Sequence, residues 1–277
     1  EAELRAQAEA KVETEPATAV GLATQADLAL REAYLKSLQS RPVEMRAVWN
    51  HSGTGAFETW DESMRDLKEH GLNAIMPNVL WGGIALYDSE YLPHAKVVAE
   101  KGDQLAECVA AGRKYRIEVH PWKVNWNLGR TTDEFKAQLA AEDRLQADVK
   151  GETVAWLEPS DPRNLELEVN TMVEMARKYD VDGVHFDYIR YPGFDNGYSQ
   201  AARERFEAAL GQKVENWPDD VYRGKLKPQW IQWRCDNISR LVQRVSEEVH
   251  RIKPGCRISA AVFSNYPSCR EQVSQDW

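Results

Sequence analysis

From residue 44 onward the chain alternates five times between a short apolar run and an amphipathic helical stretch. The apolar runs are "MRAVWN" (45–50), "LNAIMPNVLW" (72–81), "RIEVHPWKVNW" (116–126), "VDGVHFDYIRYP" (181–192) and "CRISAAVFS" (256–264). Between them lie "AFETWDESMRDLKEHG", closed by Gly71, then "GDQLAECVAAGRKY", and "PRNLELEVNTMVEMARKYD" with Pro162 at its start. Helical patterns also cover 200–211 and 228–252, and a long excursion, 127–160, is expected to carry a helix over 132–148. Strands joined by single-helix crossovers can only be parallel neighbours, so the fold class is α/β.

Two architectures begin this way, a doubly wound sheet and a (β/α)8 TIM-type barrel. A doubly wound nucleotide-binding sheet wants a Gly-rich turn after its first strand. "HSGTG" (51–55) has glycines without that spacing. In a barrel, one face of each strand turns polar toward the C-terminal mouth. Glu118, His120 and Trp122 share one face of the third strand, with Ile117 and Val119 on the other. His185 and Asp187 share a face of the fourth, against Val184 and Phe186. This pattern predicts a barrel. Five strands do not close one, so the expectation is a barrel truncated after about five strands.

The bulk properties narrow the partners. With 277 residues, 43% hydrophobic and 29% charged, the chain can bury an ordinary core. No apolar run reaches the ~18 residues of a membrane span. A net charge of −9 argues against a nucleic-acid binder. The ten tryptophans are many, and Trp49, Trp81, Trp122, Trp126 and Trp156 sit beside polar or turn residues, as rings that pack on sugar faces do. Cys108, Cys235, Cys256 and Cys269 show neither a CxxC pair nor metal-type spacing and read as scattered free or buried thiols. Residues 1–43 read as an N-terminal helical extension or linker, and 44–277 as the barrel portion. The chain starts at Glu1 without a signal peptide and reads as a processed or trimmed product.

The stretches "EMRAVWNHSGTG", "LNAIMPNVLWGGIALYDSEYLP", "RIEVHPWKVNWNLG" and "DPRNLELEVNTMVEMARKYDVDGVHFDYIRYP" resemble, in order and spacing, the glycosyl-hydrolase-like family ten. These are bacterial (β/α)8-barrel proteins described as glycosidases, more distantly similar to hydrolase domains that cleave poly-β-1,6-glucosamine. "YDVDGVHFDYIRYP" is the most specific element. The resemblance implies a glycoside hydrolase working on a polysaccharide, extracytoplasmic (periplasmic or secreted), with further strands beyond "QDW". It implies that Asp187, at the mouth of the fourth strand, is the catalytic carboxylate, with His120, Trp122, Tyr188, Arg190 and Tyr191 around it. Asn78 stands where relatives often have Gln, and Leu80 where they commonly have Arg, which removes a charged contact at that position.

Glycoside hydrolysis commonly uses two carboxyl groups. Asp187 supplies one, and Arg190 is expected to hold it ionised. Glu118 is the candidate for the second, or else an interior ion-pair member; Asp195 reads as solvated. Asn78, Trp81, His120, Trp122, Trp126, His185, Tyr188, Arg190 and Tyr191 are the candidate substrate-binding residues. No metal and no cofactor is expected, although His120 and His185 with Asp187 leave a metal-dependent hydrolase open as a lesser alternative. A carbohydrate-binding barrel without catalysis is the other alternative, since an aromatic mouth with one acid binds without cleaving.

Overall fold

The computed structural model describes residues 1–38, 43–51 and 53–277, which form two compact units, Glu1–Met45 and Arg46–Trp277. The first unit holds two helices, α1 (Ala2–Lys11) and α2 (Pro16–Ser37), the second opened by a proline whose missing N–H costs nothing in a first turn.

The second unit is built on β1 (Ala47–Asn50), α3 (Trp60–Glu69), β2 (Ala74–Trp81), β3 (Ile84–Ala85), α4 (Lys96–Lys101), α5 (Gln104–Tyr115), β4 (Glu118–Val119) and β5 (Trp122–Val124). It continues through α6 (Asp133–Ala141), β6 (Leu145–Ala147), β7 (Thr153–Leu157), α7 (Pro162–Lys178), β8 (Gly183–Asp187), α8 (Gln200–Leu210), α9 (Asp219–Tyr222), α10 (Lys227–Ile252), β9 (Arg257–Ala260) and α11 (Tyr266–Val273). Strands β1, β2, β5, β8 and β9 pair in parallel in that order, as the alternation predicts. The sheet is open among the described residues, with β1 and β9 at its edges. The third apolar run is one strand in two pieces. Pro121 offers no N–H to the ladder, so pairing with β2 lapses between Val119 and Trp122.

The helices start where side chains can cap them. Thr59 and Glu62 form a capping box at α3, and Asp103 and Asp161 accept backbone N–H groups at α5 and α7. Gly71, at φ 78°, lets the chain turn from α3 into β2. The expected helix over 132–148 is corrected: α6 ends at Ala141, Asp143 takes φ 54°, and residues 145–147 pair antiparallel with β7. "RLQAD" alternates inward and outward like a strand, and Asp148 accepts the N–H groups of Lys150 and Glu152 to close the hairpin.

The outward face of the sheet carries Ile75, Val119, Val184 and Phe186 into one apolar cluster with Leu105, Cys108, Val169, Met172 and Leu241 of the flanking helices. Burying these sheet and helix side chains is worth on the order of 20 kcal/mol. That fixes which face is left for the mouth. A second cluster gathers Tyr198, Phe206 and Trp230, with Trp217 and Trp233 packed against it, so those tryptophans are core. All four cysteines are free and buried. No helix among the described residues is long and apolar enough to cross a membrane.

Candidate active site

Parallel pairing sets Asn78, Trp122, His185 and Ser259 level with one another across β2, β5, β8 and β9. Trp122 and His185 lie 6.4 Å apart between ring centroids, and Trp49 of β1 reaches across to donate its Nε1–H to His185 Nε2 at 3.1 Å. His185 Nδ1 pairs with Ser259 Oγ at 2.8 Å. His51, the first residue past β1, sets its ring edge-on to Trp122 at 4.7 Å and to Trp81 at 5.7 Å. Trp81 in turn lies 6.4 Å from Tyr188. An aromatic floor thus runs along the C-terminal ends of the strands.

Asp187 is the last residue of β8, one step above this layer. Its Oδ1 accepts the backbone N–H of Tyr188 at 2.8 Å, and Tyr188 takes φ 52°, a left-handed conformation that costs a non-glycine residue about 1 kcal/mol. Trp156 of β7 stacks on the Tyr188 ring at 5.7 Å and holds it there. Burial raises the pKa of Asp187 above the ordinary carboxylate value; the Tyr188 N–H, Arg190 and His51 oppose it without reversing it. Arg190 lowers the Asp187 pKa, as expected of it, but less than burial raises it. Its guanidinium sits over the Tyr188 ring at 4.5 Å and donates to the carbonyls of Tyr191 and Pro192.

Asn78 and Trp81 line a cavity of about 280 Å³ with His51 and Arg130. Residues three apart on a strand ordinarily point to opposite faces. Here the register between β2 and β5 shifts between Asn78 and Leu80, a bulge that lets both side chains reach the same space. Leu80 turns into the apolar core at 1% exposure.

Four of the expected residues lie elsewhere. Glu118 pairs with Ala74 at the start of β2, four positions before Asn78, and is bound to Arg257 and to His120 Nε2. His120 is buried beside Gly183, below the His185 layer, and burial lowers its pKa. Trp126 is fully buried in the apolar core, turned there by its φ of 64°. Tyr191 is fully buried as well, with the Arg234 guanidinium 4.1 Å from its ring centre and its hydroxyl on Glu158. Of the expected set, Asn78, Trp81, Trp122, His185, Asp187, Tyr188 and Arg190 come together at the strand ends. Trp49 and Trp156, noted above only for their polar surroundings, join them, and so do His51, Arg130 and Ser259, which were not expected as site residues. His51 had a usable signal, since it directly follows a strand. Among the described residues no three His, Cys, Asp or Glu side chains group as a metal set.

A family model described as glycosyl hydrolase-like 10 matches residues 44–277. The S-layer-related protein of Niallia circulans is 31% identical over 244 residues, covering 71% of this chain and 15% of that protein. Glycosyl hydrolase YngK of Bacillus subtilis is 24% identical over 244 residues, covering 79% and 45%. The chain therefore spans less than half the length of these curated relatives. Among solved structures, the PgaB (BpsB) glycoside hydrolase domain from Bordetella bronchiseptica superposes with a TM-score of 0.66 at 11% identity, over 84% of this chain and 70% of that one. The likeness shows the fold: an α/β arrangement of the TIM-barrel glycoside hydrolases, open here after five parallel strands.

Proposed function

The chain belongs to the glycosyl hydrolase-like 10 family, and we propose that its strand-end mouth hydrolyses glycosidic bonds of a polysaccharide outside the cytoplasm, with Asp187 as the proton-donating acid. The observation that carries this reading is the state of Asp187. Asp187 closes β8 at the C-terminal end of the sheet, half-buried, and burial raises its pKa in the direction that a general acid needs. Among the described residues only one of its oxygens is taken by a hydrogen bond. Trp81 and Tyr188 supply partly exposed apolar faces for sugar rings, with the buried Trp122 beneath them, and Asn78 and His51 supply polar contacts. Glu118 is not proposed as the second carboxylate, because it is engaged by Arg257 at the opposite end of the strand. A relative named S-layer-related protein supports an extracytoplasmic setting.

A second reading, saccharide binding without cleavage, is favoured by one feature: Asp187 is the single carboxylate among the residues gathered at the mouth. Asp187→Asn separates the two. It keeps size and most hydrogen bonding and removes the proton. On a polysaccharide that the wild type cleaves, turnover should fall by about three orders of magnitude or more with melting temperature and saccharide affinity nearly unchanged. Full turnover in the folded variant would remove Asp187 from the chemistry. Wild-type binding without any product release would establish the binding reading.

A further inference from the structure

The cavity beside Trp81 has a chemical character that differs from the rest of the chain. The protein carries a net charge of −9, yet among the described residues neither Asp nor Glu lines this space. Among the described residues its one charged side chain is Arg130, which lies in the excursion rather than on a barrel strand. Arg130 is placed there by backbone geometry. Its N–H donates to Gly82 O at 3.1 Å, and a Cβ at Gly82 would stand 2.6 Å from Arg130 N, so only glycine lets the two loops approach this closely. The contact sets the guanidinium over the Trp81 ring, 5.3 Å from its centre. Among the described residues the guanidinium has no hydrogen bond and no ion pair. Arg130 is exposed at the cavity's edge, so its five donors are open to a ligand as well as to water.

Asn78 supplies the independent observation. It is 6% exposed, lines the same cavity, and its Nδ2 has no hydrogen-bond partner. A buried amide donor left unsatisfied costs about 1–3 kcal/mol, and one that lines a cavity can be satisfied by an acceptor that enters it. An unpaired cation and an orphaned donor lining one space, with no acid there among the described residues, suit an oxygen-rich anion. The neighbouring Trp81 face calls for a sugar ring to carry it.

We infer that this cavity is a subsite for a sugar residue bearing a carboxylate, held by Arg130 and Asn78 beside Trp81. The inference rests on the saccharide reading of the mouth and narrows it to acidic glycans.

The test uses β-linked hexuronic-acid tetrasaccharides and their carboxyl-reduced, neutral counterparts, with binding read by calorimetry and by quenching of tryptophan fluorescence. The wild type should prefer the acidic member of each pair by about tenfold or more, as a charge-assisted contact does. Arg130→Met should abolish the preference while leaving affinity for the neutral member within about twofold, and Arg130→Lys should restore part of it. Asn78→Leu should weaken the acidic ligand further. Equal wild-type affinity for both members would overturn the subsite and leave saccharide binding standing. So would equal losses for both in Arg130→Met. Absence of binding by either member, in a protein shown to be folded, would remove the saccharide reading and this subsite with it.

Discussion

Trp49 donates its indole N–H to Nε2 of His185, which ties the edge strand β1 to β8 across the inner face of the sheet. Because indole nitrogen can only donate, Nε2 must be unprotonated, and the ring proton sits on Nδ1, directed at Ser259 Oγ of β9. One imidazole therefore links three strands, including both edges of the sheet. This arrangement works only with the neutral ring, and burial pushes the His185 pKa down to about 4.

Proton-coupled nitrogen spectra of His185 should show the Nδ1–H tautomer from neutral pH down to about pH 4. The sign for stability follows. The unfolded chain takes up this proton near 6.5 and the folded chain only near 4, so stability is lost as pH falls through that window. Trp49→Phe removes the donor and opens the ring to water, and should move the titration upward toward 6.5. A His185 that titrates near 6.5 in the wild type would contradict the buried, doubly bonded ring.

Gly183 opens β8 directly against His120. A Cβ there would lie 2.2 Å from His120 Nδ1 and 2.8 Å from Arg257 O. The first contact is with a buried ring and the second with backbone of the neighbouring strand, so neither gives way cheaply. Gly183→Ala should destabilise by about 3 kcal/mol in denaturant unfolding. Combining it with His120→Ala should recover part of that loss, since only the backbone clash remains.

Glu158, at the end of β7, is fully buried, and one of its oxygens has no partner. Burial raises its pKa from 4.5 to about 7, against the pull of Ser160, Arg234 and Arg205. A raised folded pKa means that the contribution is whole below pH 4.5 and is lost as pH rises through about 7. Glu158→Gln should therefore stabilise the protein at pH 8 by about 2–3 kcal/mol and change little at pH 4. Thermal melts of both proteins across that range check it. Equal differences at both pH values would show that the carboxyl does not titrate on folding.

The parallel order and the division of faces were legible because each depends on local pattern. Apolar alternation marks the strands, and Thr59–Glu62 or Asp161–Pro162 mark helix starts. Height along a strand was legible only in part: Asp187 could be placed at the end of its strand, but Glu118 stayed a candidate. Glu118 and Trp122 share a face in sequence, but register with β2 puts the first at the bottom and the second at the mouth. Trp126 escaped the alternation because a left-handed residue breaks it. Arg130 belongs to the site only through the glycine contact at residue 82, a long-range approach that no local pattern encodes.

The role of Asp187 has a signature in the pH dependence of kcat/KM. Arg190 lowers the Asp187 pKa, although burial prevails. Arg190→Met removes that cation while keeping an apolar stem over the Tyr188 ring, so the carboxyl should hold its proton to higher pH. If Asp187 is the general acid, the proton-requiring form persists further and the basic limb of the profile moves to higher pH. If Asp187 acts ionised, as a nucleophile, the same substitution delays ionisation and the acidic limb moves up instead. The two outcomes differ in which limb responds, so loss of absolute rate from disturbing the Tyr188 stack does not blur them. A profile in which neither limb moves would mean that Asp187 does not titrate in the rate-determining chemistry.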